Sequence, residues 1–146
     1  MIENNTIADS FDLRSNVIDT LIDIIFFRNM PNDGNDYVQI LGLLGTKRTY
    51  SWIRRSYISV PPNFESYKVL LPESNGAGAF EALSKPIVVE PHVGHTQTFI
   101  SMGDFQDKGD AENLLRYLKT KFCRALLGTL KTTQHNSKAT WENCPL

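Results

Sequence analysis

Over residues 13–28 the apolar positions Val17, Leu21, Ile22 and Ile25 fall at helical spacing. Asp12 stands where a cap belongs, and Asn29-Met30-Pro31-Asn32-Asp33-Gly34 supplies a stop. A helix over 13–28 is predicted. The period then changes. Tyr37–Leu44 is a short apolar run, Gly45-Thr46 offers a turn, and residues 47–58 alternate Arg48, Tyr50 and Trp52 with Thr49, Ser51 and Ile53 before meeting Arg54-Arg55. Such runs on either side of a two-residue turn predict an antiparallel hairpin. Val60-Pro61-Pro62-Asn63 breaks it, since proline cannot donate to a ladder. Further strands are predicted at 67–71, 86–90 and 96–102. Glu73-Ser74-Asn75-Gly76-Ala77-Gly78-Ala79 reads as a loop, and Pro91-His92-Val93-Gly94-His95 as the segment joining the last two strands.

The strongest helical pattern comes last. Asp107 or Asp110 caps a helix over about 111–130, on which Leu114, Leu115, Leu118, Phe122, Ala125 and Leu126 share about a third of the circumference. Cys123, Leu127 and Leu130 lie off that stripe, so the second half of this helix is expected to be buried on more than one side, with Arg124 needing a partner. Helix, strands, helix predicts an α+β fold: a mostly antiparallel sheet of about five strands flanked by an N-terminal helix and a long C-terminal helix.

Composition and charge add to this picture. With 146 residues, 41% apolar and 10% aromatic, the chain can build one core. No apolar run approaches the ~20 residues of a bilayer span. The start, MIENNTIADSFD, has neither the basic nor the apolar part of a signal peptide, so no membrane partner and a cytoplasmic location are expected. Cys123 and Cys144 suit two reduced thiols rather than a disulfide. The net charge of −1 hides an asymmetry: residues 1–36 carry seven acids against Arg14 and Arg28, leaving nine acids and thirteen bases over 37–146. A basic body behind an acidic leader points toward a polyanionic partner.

Most catalytic patterns are missing. Gly76-Ala77-Gly78 lacks the Lys-Ser/Thr of a phosphate loop and the third glycine of a dinucleotide fingerprint. His92, His95 and His135 with Cys123 and Cys144 contain no Cys-x-x-Cys pair to close a tetrahedral metal site. No Gly-x-Ser-x-Gly or His-Glu-x-x-His occurs, and Glu65, Glu73, Glu81 and Glu90 are scattered singly.

The basic and aromatic residues form a more coherent set. Lys47-Arg48-Thr49-Tyr50-Ser51-Trp52-Ile53-Arg54-Arg55 places cations among large aromatics on one predicted strand, where alternation puts Arg48, Trp52 and Arg54 on one face. Strand edges also use Lys and Arg to discourage aggregation, so that reading stays open. Lys68, the helix cations Arg116, Lys119 and Arg124, and the segment TLKTTQHNSKATW, with Lys131, Gln134, Asn136 and Lys138, extend the set. Its amides and cations are the side chains that pair with base edges and phosphates, although the segment also reads as a solvated helix end. Asn75, in the glycine loop, and His95 complete the candidate DNA-binding residues.

Four blocks in order, Lys68-Val69-Leu70-Leu71-Pro72 with Gly76 and Gly78, His95-Thr96-Gln97-Thr98-Phe99, Tyr117-Leu118-Lys119-Thr120-Lys121-Phe122, and Leu130-Lys131-Thr132-Thr133-Gln134, carry a resemblance. From about Tyr37 onward the chain resembles the target-recognition region of type II restriction–modification proteins with an adenine-N6 DNA methyltransferase. The resemblance implies a recognition domain over 37–146 and leaves 1–36, the acidic leader with its amphipathic helix, uncovered. It implies double-stranded DNA as partner, and no catalysis in this chain. The family's S-adenosylmethionine motif and Asn-Pro-Pro-Tyr-type tetrapeptide are both missing, and the sole Pro-Pro is Pro61-Pro62. S-adenosylmethionine, with Mg²⁺ if the parent also cuts, is expected for a longer polypeptide whose methyltransferase or nuclease module partners this domain. The end at Cys144-Pro145-Leu146 fits a fragment of such a protein. Two other readings stay open: a protein-interaction or assembly domain using Tyr50, Trp52 and the acidic first helix, and a small enzyme with a His/Glu site.

Overall fold

The computed structural model describes residues 13–73, 85–123 and 125. In chain order it contains α1 (Val17–Leu21), β1 (Tyr37–Leu44), β2 (Lys47–Arg54), 3-10 turns at Arg55–Tyr57 and Pro62–Glu65, β3 (Tyr67–Pro72), β4 (Ile87–Val89), β5 (Val93–His95), β6 (Phe99–Phe105) and α2 (Lys108–Leu118). The α+β class holds. The strands form two three-stranded sheets, in the orders β2-β1-β5 and β4-β3-β6, rather than one sheet of about five. Two compact units result, one from residues up to Glu65 with Pro91–Thr98, the other from Ser66–Glu90 with residues from Phe99 on. The boundary expected after residue 36 therefore falls inside the first unit, where Leu13, Val17 and Ile18 share a core with Val38 and Ile40.

The first unit is organised by the hairpin. Leu44 pairs with Lys47 and Tyr37 with Arg54, leaving Gly45-Thr46 as a two-residue turn with Gly45 at φ 61°, the left-handed start a type II′ turn requires. One sheet face, with Val38, Ile40 and Ile53, packs on Val17, Ile18, Phe26 and Phe64. The predicted helix over 13–28 shortens to five residues. The β-branched and aromatic residues that follow it are stiff at χ1 and favour extended pairing. Asp23 accordingly turns the chain at φ 61°, and Phe27 exchanges backbone hydrogen bonds of 2.8 and 2.7 Å with Trp52 at the outer edge of β2. The segment expected to be a plain connection contains β5, parallel to β1. Its Gly94 lies so close to Ile40 that a Cβ would meet the Ile40 Cδ1 at 2.6 Å.

In the second unit β3 is central, antiparallel to both β4 and β6. Val69 and Leu71 face Met102, Leu114, Leu115 and Leu118, and full burial of a side chain such as Leu118 contributes about 1.5–3 kcal/mol. Asp107 caps α2, its Oδ1 accepting from the Gly109 N–H at 2.7 Å. The long C-terminal helix breaks after Leu118. Thr120 Oγ1 donates to the Tyr117 carbonyl at 2.7 Å and accepts from the Cys123 N–H at 3.2 Å, closing one helix and opening the next turn. That break rotates the apolar stripe, so Cys123 is buried while Phe122 and Ala125 are exposed. Leu126, Leu127 and Leu130 lie outside the described residues, as does Asp12. No helix among the described residues is long and apolar enough to cross a membrane.

Candidate nucleic-acid interface

Because side chains alternate along a strand, β2 sorts its own residues. Ser51 and Ile53 turn inward and are buried, while Arg48 and Tyr50 are exposed and Trp52 and Arg54 are half-buried on the other face. Across the hairpin, Gln39 stands opposite Trp52 and Leu41 opposite Tyr50. The alignment of Arg48, Trp52 and Arg54 expected from the alternation is what the strand forms, with Tyr50 between them. Lys47, exposed beside the turn, belongs to the opposite face.

Arg54 is held in place. Its Nη2 lies 3.1 Å from Asp33 Oδ2 and its Nε donates to Tyr37 Oη at 3.3 Å, while that hydroxyl donates to the same Asp33 oxygen at 2.9 Å. The Asp33 carboxyl is drawn down to about 2, chiefly by the backbone N–H of Asn35 at 3.1 Å, with the Asn35 side chain, Tyr37 and Arg54 adding to it. The guanidinium also sits 5.8 Å from the centre of the Tyr57 ring. Arg55 is likewise engaged, donating to the Ile58 carbonyl at 2.9 Å and lying 5.7 Å over Phe64. Both arginines hold the fold together, so their charges reach solvent already partnered.

Lys68 does not lie on an accessible surface. It is 1% exposed, and its Nζ donates to the Ser66 carbonyl at 3.3 Å. Opposite it β6 carries a bulge: Tyr67 pairs with Phe105 and Val69 with Met102, so Lys68 faces both Gly103, at φ 91°, and Asp104. Burial pushes the ammonium down to about 8, with the Asp104 carboxylate pulling the other way. A side chain enclosed to this degree does not present its ammonium at the surface.

His95 is half-buried on β5 with Nδ1 3.0 Å from the Thr96 carbonyl; since that oxygen only accepts, Nδ1 carries the proton. His92, exposed at φ 63°, stands edge-on to Phe64 at 5.8 Å. Among the described residues no group of three or more His, Cys, Asp or Glu could hold a metal. Arg116 and Lys119 are exposed at the C-terminal end of α2, where cations complement the helix dipole. Asn75, Lys131, Gln134, Asn136 and Lys138, together with Arg124, lie outside the described residues.

Tyr50 and Tyr57, each 42% exposed, stand outside the candidate DNA-binding residues, as do Asp33 and Tyr37, which hold Arg54. Alternation was a sufficient signal for Tyr50. The Asp33-Gly34-Asn35 turn hinted at the bond between the Asp33 carboxylate and the Asn35 N–H, but not at the arginine it would meet.

Comparison with protein-family models, curated proteins and solved structures gives no match. The chemistry of the β2 strip therefore stands on its own geometry.

Proposed function

We propose that the chain is a non-catalytic DNA-recognition module, the target-recognition part of an adenine-N6 restriction–modification enzyme, with β2 of the first unit as a nucleic-acid contact. The observation that carries the reading is the exposure of Arg48 and Tyr50 on one face of β2 beside half-buried Trp52, with Lys47 at the turn. The ordered sequence blocks support it. S-adenosylmethionine and any Mg²⁺ belong, on this reading, to modules outside the 146 residues.

Isolated from such modules, the chain loses their phosphate contacts, and duplex affinity of order 10⁻⁴–10⁻⁶ M at physiological salt is expected. Fluorescence anisotropy with a labelled duplex, from low to physiological salt, tests this; no binding at low salt to any duplex or single strand sinks it. A protein-contact reading is favoured by Ile24 and Met30, 68% and 58% exposed in the same unit, because apolar side chains gain nothing from phosphates. It predicts concentration-dependent association in sedimentation with no nucleic-acid binding.

A further inference from the structure

The nature of the β2 face narrows the form of nucleic acid it suits; the inference rests on the nucleic-acid reading above. In order along that face come Arg48, Tyr50, Trp52 and Arg54, and the chain continues into the 3-10 turn that carries Tyr57 against the Arg54 guanidinium. Three ring systems thus fall within eight residues, two of them 42% exposed and Trp52 half-buried. In a duplex the faces of the bases are covered by one another, and a protein reads edges with donors and acceptors. Exposed aromatic side chains on a sheet suit the opposite case, in which bases are unstacked and their faces need cover.

Spacing agrees. Side chains two apart on a strand, as Tyr50 and Trp52 are, stand about 6.8 Å apart, close to twice the roughly 3.4 Å rise between stacked bases. Gln39, opposite Trp52 and half-buried, stands on the neighbouring strand beside that strip. Charge is complementary as well: Arg48 is exposed at the turn end of this face, and Arg54, ion-paired with Asp33, stands at its other end.

We infer that the β2 face bearing Arg48, Tyr50, Trp52 and Arg54, with Tyr57 of the following 3-10 turn, is a stacking platform for about two or three unpaired bases of a single-stranded nucleic acid, with Tyr50, Trp52 and Tyr57 as the stacking rings and Arg48 drawing the phosphates. The experiment compares anisotropy of the whole chain with a labelled 12-nucleotide single strand and the matching duplex at one salt concentration. Tyr50→Ala is expected to weaken single-strand binding about fivefold or more and duplex binding by a smaller factor, while Tyr50→Phe retains both. The chain has two tryptophans, so in a Trp141→Phe background the single strand should quench the emission of Trp52. Tyr57→Ala provides a second variant should Tyr50→Ala lower the melting temperature. Unchanged single-strand affinity in the tyrosine variants, or absence of quenching on binding, overturns the platform while leaving duplex recognition in place. Failure to bind either form overturns both.

Discussion

A lysine buried to 1% exposure in a strand flanked by Val69, Leu70 and Leu71 works against the fold whenever it is charged. The native pKa of Lys68 is near 8, below the ordinary 10.5, because desolvation disfavours the ammonium more than Asp104 favours it. Below about pH 8 both folded and unfolded chains hold the proton, and the cost of burying it is present in full. Between about 8 and 10.5 the unfolded chain binds more protons, so stability rises with pH through that window. Lys68→Met, similar in length and without charge, is expected to be neutral to stabilising at pH 7 and to flatten the rise, read as the difference in urea midpoint between variant and parent at pH 7 and 9.5. A variant less stable at pH 7 that keeps the parent's rise would show that the Ser66 bond and its neighbours outweigh desolvation. The burial was partly legible, since four consecutive apolar or proline positions after Lys68 leave no solvent face, but the bulge at Gly103-Asp104 that seats the ammonium has no sequence period to announce it.

At the scale of elements, those set by local chemistry match their sequence signals and those set by distant partners do not. The hairpin follows from Gly45-Thr46 and the period of two, and α2 begins at one of the two aspartates that its pattern offered. By contrast α1 stops early because Phe27 finds the edge of β2, and β5 exists because β1 lies beside three residues of which Val93 alone has strong strand propensity. Division into two sheets was illegible for the same reason: the segment 91–105 supplies one strand to each, and nothing in its composition marks the change of partner. Local chemistry gives the firmer prediction here. Asp107→Ala should cost about 1 kcal/mol in denaturant unfolding by leaving the Gly109 N–H unsatisfied, and Asp107→Asn should recover most of it, because either side-chain oxygen accepts that bond. Equal losses in both variants would mean that the carboxylate acts through its charge at the start of the helix instead.

At the scale of the molecule, the excess of thirteen bases over nine acids after residue 36 matters only where cations reach solvent uncompensated. The fold spends several elsewhere. Arg54 is paired with Asp33, Arg55 is bound to Ile58 and Phe64, Lys108 lies 2.9 Å from Glu90, and Lys68 is enclosed. Lys47 in one unit, and Arg116 and Lys119 in the other, are exposed, and Arg48 is exposed while interacting electrostatically with Tyr50. Counterion release depends on the charges that meet phosphates, whatever the sequence bound. Lys47→Ala and Arg48→Ala are therefore expected to weaken nucleic-acid binding uniformly and each to lower the slope of log affinity against log salt by roughly one. Arg54→Ala should leave that slope nearly unchanged, because removing it frees the Asp33 carboxylate in its place and disturbs the network under Tyr57 more than the field. Anisotropy titrations at four salt concentrations separate these outcomes. If Lys47 and Arg48 leave the slope untouched while binding persists, the phosphate contacts do not lie on the hairpin, and the Arg116–Lys119 end of α2 becomes the next place to substitute.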